Sequence, residues 1–401
     1  MPKAPLRTPE FVVLFSLTTS LIALSIDAML PALKAIGEDL AVVDAKDTQF
    51  IITLFIFGMV FGELFFGPLS DAVGRKRAIL AGLAIYAAGA VIAMTASSLE
   101  LILIGRFVQG IGVSGPKIAS RALIRDLYEG EAMARMMSFI MMVFILTPML
   151  APALGQLVLT VADWRAIFFA FLALAALVGA WLQLRQPETL PPSRRLGFSP
   201  GIIFANARLI LRHGPVMAYT FSAGFIFGGL LLYLSTSQAL FLDLYDVEET
   251  FPLYFAILAL GIGLASFFNS QLVMRLGMKP LALGALAGLF VFGGALFGVA
   301  AAYDGVPPFP AFMALCFMIF FSNGLLFGNL NAMAMQSLGR VAGLGASMIA
   351  SISSLVAVLL SVVIGRFYDQ TVVPLAMGFL LAGGCSLVLV LAAHRSRAGE
   401  I

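Results

Sequence analysis

The chain has 401 residues, of which 61% are hydrophobic and only 11% charged, against about 25% charged and about 45–50% apolar residues in a soluble domain. A mean hydropathy of +1.03 spreads that excess along the whole length. It excludes a water-soluble enzyme, a secreted disulfide scaffold and a disordered chain, and leaves a membrane protein that crosses the bilayer many times.

Apolar runs fall at about 11–33, 48–69, 78–97, 101–122, 136–160, 166–184, 215–242, 251–273, 280–302, 309–333, 343–365 and 372–393. A spanning helix needs about 20 residues, so these runs predict twelve spans. They are continuous rather than alternating, which points to an α-helical bundle and away from a β-barrel of roughly 10-residue alternating segments. The first run exceeds the apolar core of a signal peptide, about 7–15 residues, and is read as a retained span. Cys316 and Cys385 both lie in apolar runs, where reduced core cysteines are expected.

The net charge of +3 becomes informative once the loops are assigned alternately to two sides. The side holding both termini collects 18 Lys and Arg against 7 Asp and Glu, and the other side 4 against 12. The positive-inside rule then puts both termini in the cytoplasm. The longest connection is rich in Arg and Pro and lies at the midpoint. It reads as a cytoplasmic linker (185–214) between a first six-helix half (1–184) and a second (215–401). Its part from Gly201 to Arg212 reads either as a short amphipathic helix on the membrane surface or as a solvated linker. An offset of 203 residues lays Leu69, Gly74 and Lys76 on Leu272, Gly277 and Lys279, as duplicated halves would require.

After span 2 the chain reads Gly67-Pro-Leu-Ser-Asp71-Ala-Val-Gly74-Arg75-Lys76-Arg77. Span 4 holds Arg106-Phe-Val-Gln109-Gly110 and ends Arg121-Ala-Leu-Ile-Arg125-Asp126. Span 5 holds Pro148-Met-Leu-Ala151-Pro152-Ala-Leu-Gly155, followed by Asp163-Trp164-Arg165 and Phe168. Span 1 carries Asp27-Ala-Met-Leu30-Pro31-Ala-Leu33. Together these resemble the major facilitator superfamily over the whole chain, and within it the bicyclomycin/chloramphenicol-type drug–proton antiporters. Met29, Gln156, Glu63 and Lys117 depart from that pattern. The resemblance implies an all-α integral membrane fold of twelve transmembrane helices in two pseudo-symmetric six-helix halves. It further implies a conformational latch of Asp71, Gly74 and Arg75 with Asp126, where a plain positive-inside anchor is the bland alternative. It gives Pro148, Pro152 and Gly155 the antiporter-motif kink of span 5, where a bend without function is equally open. The pairs Gly58/Gly62, Gly284/Gly288 and Gly324/Gly328 are expected to mark close helix packing.

Charges within spans cost about 2.5–3.5 kcal/mol on insertion scales and usually mark a pathway or relay. Asp27 and Arg106 lie at similar depth, roughly 9–11 Å below the outer surface at 1.5 Å per residue. They are the expected proton-coupling pair, with a static ion pair as the alternative. Glu63 and Lys117 match in depth on the other side and are read as structural. Candidate substrate contacts are Tyr233 and Gln238 on span 7, Tyr254 on span 8, and Asn323, Asn329 and Asn331 on span 10. For the asparagines, helix–helix hydrogen bonds are as reasonable.

None of the six lysines follows a glycine, so no Walker A loop can be built. No Cys/His cluster has metal-ligand spacing and no nucleophile–base set stands out, which disfavours a membrane enzyme; a non-transporting sensor is disfavoured too. No cofactor, metal, nucleotide or nucleic acid is expected; the expected partners are a small-molecule substrate, protons and the lipid bilayer. The expectation is a monomeric exporter of small amphipathic compounds by proton antiport in a bacterial inner membrane. Export of an amino acid or other metabolite, and proton-coupled uptake, are the alternatives.

Overall fold

The computed structural model describes residues 7–128, 130–195, 200–247, 249–336, 338 and 342–398. Residues 1–6 and 399–401, whose side the charge pattern addresses, and Arg340 of the loop after span 10 lie outside them. Among the described residues the structure is helical, with no strand. The helices are α1 (Thr8–Asp27), α2 (Leu33–Asp39), α3 (Phe50–Val73), α4 (Arg75–Met94), α5 (Leu99–Leu127), α6 (Gly130–Val161) and α7 (Arg165–Arg185). They continue with α8 (Pro200–Arg212), α9 (Gly214–Gln238), α10 (Phe251–Leu276), α11 (Met278–Ala302), α12 (Phe309–Met335), α13 (Ala342–Gly365) and α14 (Val373–Ala398). A π-helical turn, Ala239–Leu244, extends α9.

Ten helical segments among the described residues are long and apolar enough to cross a membrane. The other two expected spans coincide with α5 and α6. In α5 the apolar stretch is diluted by Arg106, Gln109 and Lys117, and α6 is apolar over Leu146–Val161. This is a multi-pass membrane protein, built as it must be where lipid offers the backbone no hydrogen bonds.

The chain divides into two compact units, Met1–Phe204 and Ala205–Ile401. In the first, α1 packs on α6 and α7, α3 on α5, and α4 on α5 and α7. In the second, α9 packs on α13 and α14, α10 on α12, and α11 on α12 and α14. The two sets of pairings are the same once α1 and α3–α7 are matched in order to α9–α14, which is the pattern a duplicated six-helix unit produces.

Within the units small residues set the closest approaches. A Cβ at Gly58 would collide with the Phe107 carbonyl and one at Gly62 with the Ile111 carbonyl, while one at Gly324 would press on the Ile262 carbonyl. Gly288 lies against Ser322, but Gly284 and Gly328 face open space and are not packing glycines. Cys316 is buried; Cys385 is exposed on α14 rather than in the core, and both are free. The segment left open between a helix and a solvated linker is helical from Pro200 to Arg212.

Candidate functional site

In the first unit the helix of span 1 stops at Asp27 and resumes at Leu33, with a 3-10 turn over Leu30–Ala32 between. Pro31 explains the break: it stands four residues after Asp27 and has no N–H to return to the Asp27 carbonyl. Asp27 is 5% exposed. Among the described residues its carboxyl makes no hydrogen bond or ion pair. Gly155 of α6 packs against this break, since a Cβ there would collide with the carbonyl of Ala28. One helix region earlier, Ser20 and Thr147 join α1 to α6 through their hydroxyls at 2.8 Å. The Pro148–Gly155 segment is therefore seated on the stretch of span 1 that carries Asp27.

Arg106 is fully buried in α5. Its Nη2 donates to the Ser25 carbonyl at 2.7 Å, its Nε to the Ile51 carbonyl at 3.0 Å, and its Nη1 to Gln109 Oε1 at 3.1 Å. The guanidinium also lies 4.3 Å from the centroid of the Phe55 ring, within cation–π range. The Ser25 hydroxyl donates to the Leu21 carbonyl, so at 2.6 Å the Tyr86 hydroxyl must donate to it. The expected direct pairing of Asp27 with Arg106 is not formed; the arginine holds the backbone two residues before the carboxylate.

Deeper along the same two helices, Lys117 of α5 pairs with Glu63 of α3, whose side chain is fully buried. Removing one partner of such a pair strands a buried charge, a loss of about 3–5 kcal/mol.

The turn between α3 and α4 is a hub. Gly74 sits at φ +109°, a backbone state that favours glycine. Arg75 is 5% exposed, pairs with Asp71, donates from Nε to Asp126 Oδ2 at 3.0 Å and from Nη1 to Ser70 Oγ at 2.8 Å. Glu188, in the segment after α7, lies across this turn. Its Oε1 accepts from the backbone N–H groups of Arg75 (2.8 Å), Thr189 (3.0 Å) and Leu190 (3.1 Å). It thereby satisfies an N–H at the start of α4 that no turn of helix precedes. Thr189 adds a bond to Asp126 at 3.3 Å. Asp71, Gly74, Arg75 and Asp126 are thus brought together, along with a carboxylate that sequence reasoning passed over as linker.

A second cluster ties α2 to the start of α7. Asp39 Oδ2 accepts from Trp164 Nε1 at 3.1 Å and from Arg165 Nη1 at 2.9 Å. The Arg165 guanidinium lies 4.1 Å from the centroid of the Trp164 ring, and its Nη2 reaches the Ala96 carbonyl at 3.2 Å. Span 1 is therefore held on both sides of its break: by Arg106 before Asp27 and by this cluster after it.

In the second unit the buried Tyr233 ring packs edge-on to Phe320 (4.8 Å) and stacks on Phe255 (5.9 Å). Tyr254 belongs to a neighbouring aromatic group with Phe309 and Phe241. Gln238 is 7% exposed at the end of α9. The three asparagines of α12 separate. Asn329 donates to Asn269 Oδ1 of α10 at 2.6 Å, a helix–helix bond, and to the Leu325 carbonyl of its own helix at 2.8 Å. Asn331 is exposed. Asn323 is fully buried, yet among the described residues neither amide atom has a hydrogen-bond partner. It lies three residues after Phe320, which meets Tyr233, and four before Phe327, which meets Phe227 at 6.4 Å. That spacing puts it on the stripe of α12 facing α9.

The comparisons with known proteins agree with this architecture. The family model described as Major Facilitator Superfamily matches residues 15–355. The chain is 30% identical over 383 residues to a bicyclomycin resistance protein homolog of Haemophilus influenzae, covering 95% of this chain and 94% of the relative. It is 28% identical over 336 residues to multidrug resistance protein D of Escherichia coli, 81% of each chain. Among solved structures, the human organic anion transporter MFSD10 superposes with a TM-score of 0.71 at 19% identity, over 97% of this chain and 100% of that one. The Escherichia coli xylose transporter, in a partially occluded inward-open form, gives 0.71 at 15% identity over 95% of each. At such identities the structural likeness speaks to the fold alone. With the family model spanning most of its length and a relative at 30% identity across nearly all of it, the chain belongs to the Major Facilitator Superfamily, a family of membrane transporters.

Proposed function

We propose that this transporter exports small amphipathic molecules in exchange for protons, with Asp27 as the proton carrier. It works in the bacterial inner membrane with both termini in the cytoplasm, as a monomer that needs no metal, cofactor or nucleotide. The observation that carries the reading is the carboxyl of Asp27, buried at a helix break and free of any fixed partner among the described residues. Such a group takes up and releases a proton without first breaking an ion pair. Arg106 acts as a positioning residue, fixing the backbone at Ser25. Gly155, in the segment that resembles the antiporter motif, lets α6 seat on the same break. The relatives named for bicyclomycin and multidrug resistance support export of foreign compounds.

The substrate region we assign to Tyr233, Asn323, Tyr254, Gln238 and Asn331 of the second unit. An aromatic surface with a few polar atoms is the usual composition of a small-molecule site. We assign Asp71, Gly74, Arg75 and Asp126 to the latch. We assign the first six-helix half to 1–184 and the second to 215–401, with 185–214 as the cytoplasmic linker between them.

The test is a drug-susceptibility panel in a pump-deficient bacterial host. The wild-type gene should raise tolerance to a subset of amphipathic compounds, and Asp27→Asn should erase that gain at unchanged protein level. No gain for any compound, or full efflux by Asp27→Asn, overturns the reading.

A further inference from the structure

We infer that α8 is an interfacial helix that lies in the cytoplasmic leaflet and binds its anionic phospholipid headgroups. The helix ends at Arg212 and α9, a span, starts at Gly214. One residue separates them, so the C-terminal end of α8 is within about 7 Å of the first residue of that span. A helix anchored there either lies along the surface or stands off into water.

The side chains decide between these. Ile210 is 1% exposed and packed into the protein, while Leu209 is 62% and Leu211 52% exposed. At about 100° per residue, Leu209 and Leu211 flank Ile210 on either side. Arg208 and Arg212 are both exposed and share the opposite face, four residues apart. Two bare leucines beside two bare arginines suit neither water nor hydrocarbon. They suit the boundary, where apolar side chains dip below the headgroups and arginines reach the phosphates. The flanking sequence adds Arg194 and Arg195 on the same connection, and the cytoplasmic surface is negatively charged. Sign and position therefore select anionic phospholipid as the occupant.

The experiment places a nitroxide label at single cysteines, Leu209→Cys and Leu211→Cys, in full-length protein carrying Cys316→Ala and Cys385→Ala. The protein is reconstituted in phosphatidylcholine alone and in phosphatidylcholine with an equal amount of phosphatidylglycerol. Oxygen accessibility should exceed that of a water-soluble nickel reagent at both labels, and the ratio should rise with phosphatidylglycerol. In Arg208→Gln/Arg212→Gln protein the dependence on phosphatidylglycerol should be lost. Labels that the aqueous reagent reaches equally in both lipids would place α8 in water and overturn the inference. Immersion without any phosphatidylglycerol dependence would overturn the anionic preference. Neither readout involves transport, so the outcome stands apart from the fate of the proton-antiport reading.

Discussion

The guanidinium of Arg106 donates to the carbonyl of Ser25 at 2.7 Å, two residues before Asp27, and so grips the backbone that bears the carboxylate instead of the carboxylate itself. Arg106→Lys cannot reproduce the three-way fork to Ser25, Ile51 and Gln109. It should lower transport at least 10-fold while Asp27 is intact. Proton release measured on substrate addition should separate the roles. Asp27→Asn should abolish it, whereas Arg106→Lys should leave a reduced but detectable signal. Equal abolition in both variants would give Arg106 a direct part in proton transfer.

Gly155 lies so close to the carbonyl of Ala28 that no side chain fits between α6 and α1. Gly155→Val must push the two helices apart beside the break. We expect protein to reach the membrane but transport to fall to near background. Normal transport by this variant, measured as substrate accumulation in everted vesicles, would show that the contact opens at no cost.

The asparagines of α12 give a paired test. Asn329→Leu leaves Asn269 without its helix–helix bond, an interaction worth about 0.6–2 kcal/mol in membranes, and should lower thermal stability in detergent. Asn323 has no bond to lose among the described residues, so Asn323→Leu removes a buried polar group and should leave stability equal or higher. If Asn323 contacts substrate, the same substitution shifts the susceptibility profile; a stable protein with an unchanged profile removes it from the site.

Charge movement distinguishes substrate classes. Exchanging one proton for a neutral molecule moves one charge, worth about 2.3 kcal/mol per 100 mV or roughly a 40- to 50-fold gradient. One carboxylate near a fully buried arginine offers little net negative potential, so neutral or zwitterionic substrates are expected over permanent cations. Collapsing the membrane potential in proteoliposomes at a fixed pH gradient should slow efflux of the best substrate. Unchanged efflux would indicate electroneutral exchange.

Much of the fold was legible because lipid is an unforgiving solvent: apolar length and charge side write the spans directly. Asp27, Arg106, Glu63 and Lys117 stood out for the same reason, as ions in apolar runs. Their partnerships were less legible. Glu63 and Lys117 found each other as their matched depth implied. Arg106, however, turned to the carbonyls of Ser25 and Ile51, which every residue possesses, and so no residue type announced it. Glu188 was hidden likewise, because its partners are main-chain N–H groups. Asn323 and Asn329 carry the same side chain on the same helix, and only the presence of Asn269 opposite one of them tells them apart.

The bond from Glu188 to the start of α4 also sets where this chain can be divided. A fragment ending at Arg185, the last residue of α7, would carry α1 to α7 yet leave the Arg75 N–H without its acceptor and the Asp126 carboxylate without Thr189. One ending beyond Leu190 would retain both. Co-expressed with the same second part, residues 191–401, a first part ending at Leu190 should therefore restore a working transporter, and one ending at Arg185, which leaves Glu188 and Thr189 out of both parts, should fail. What looks like connecting chain between 186 and 190 is structurally part of the first unit.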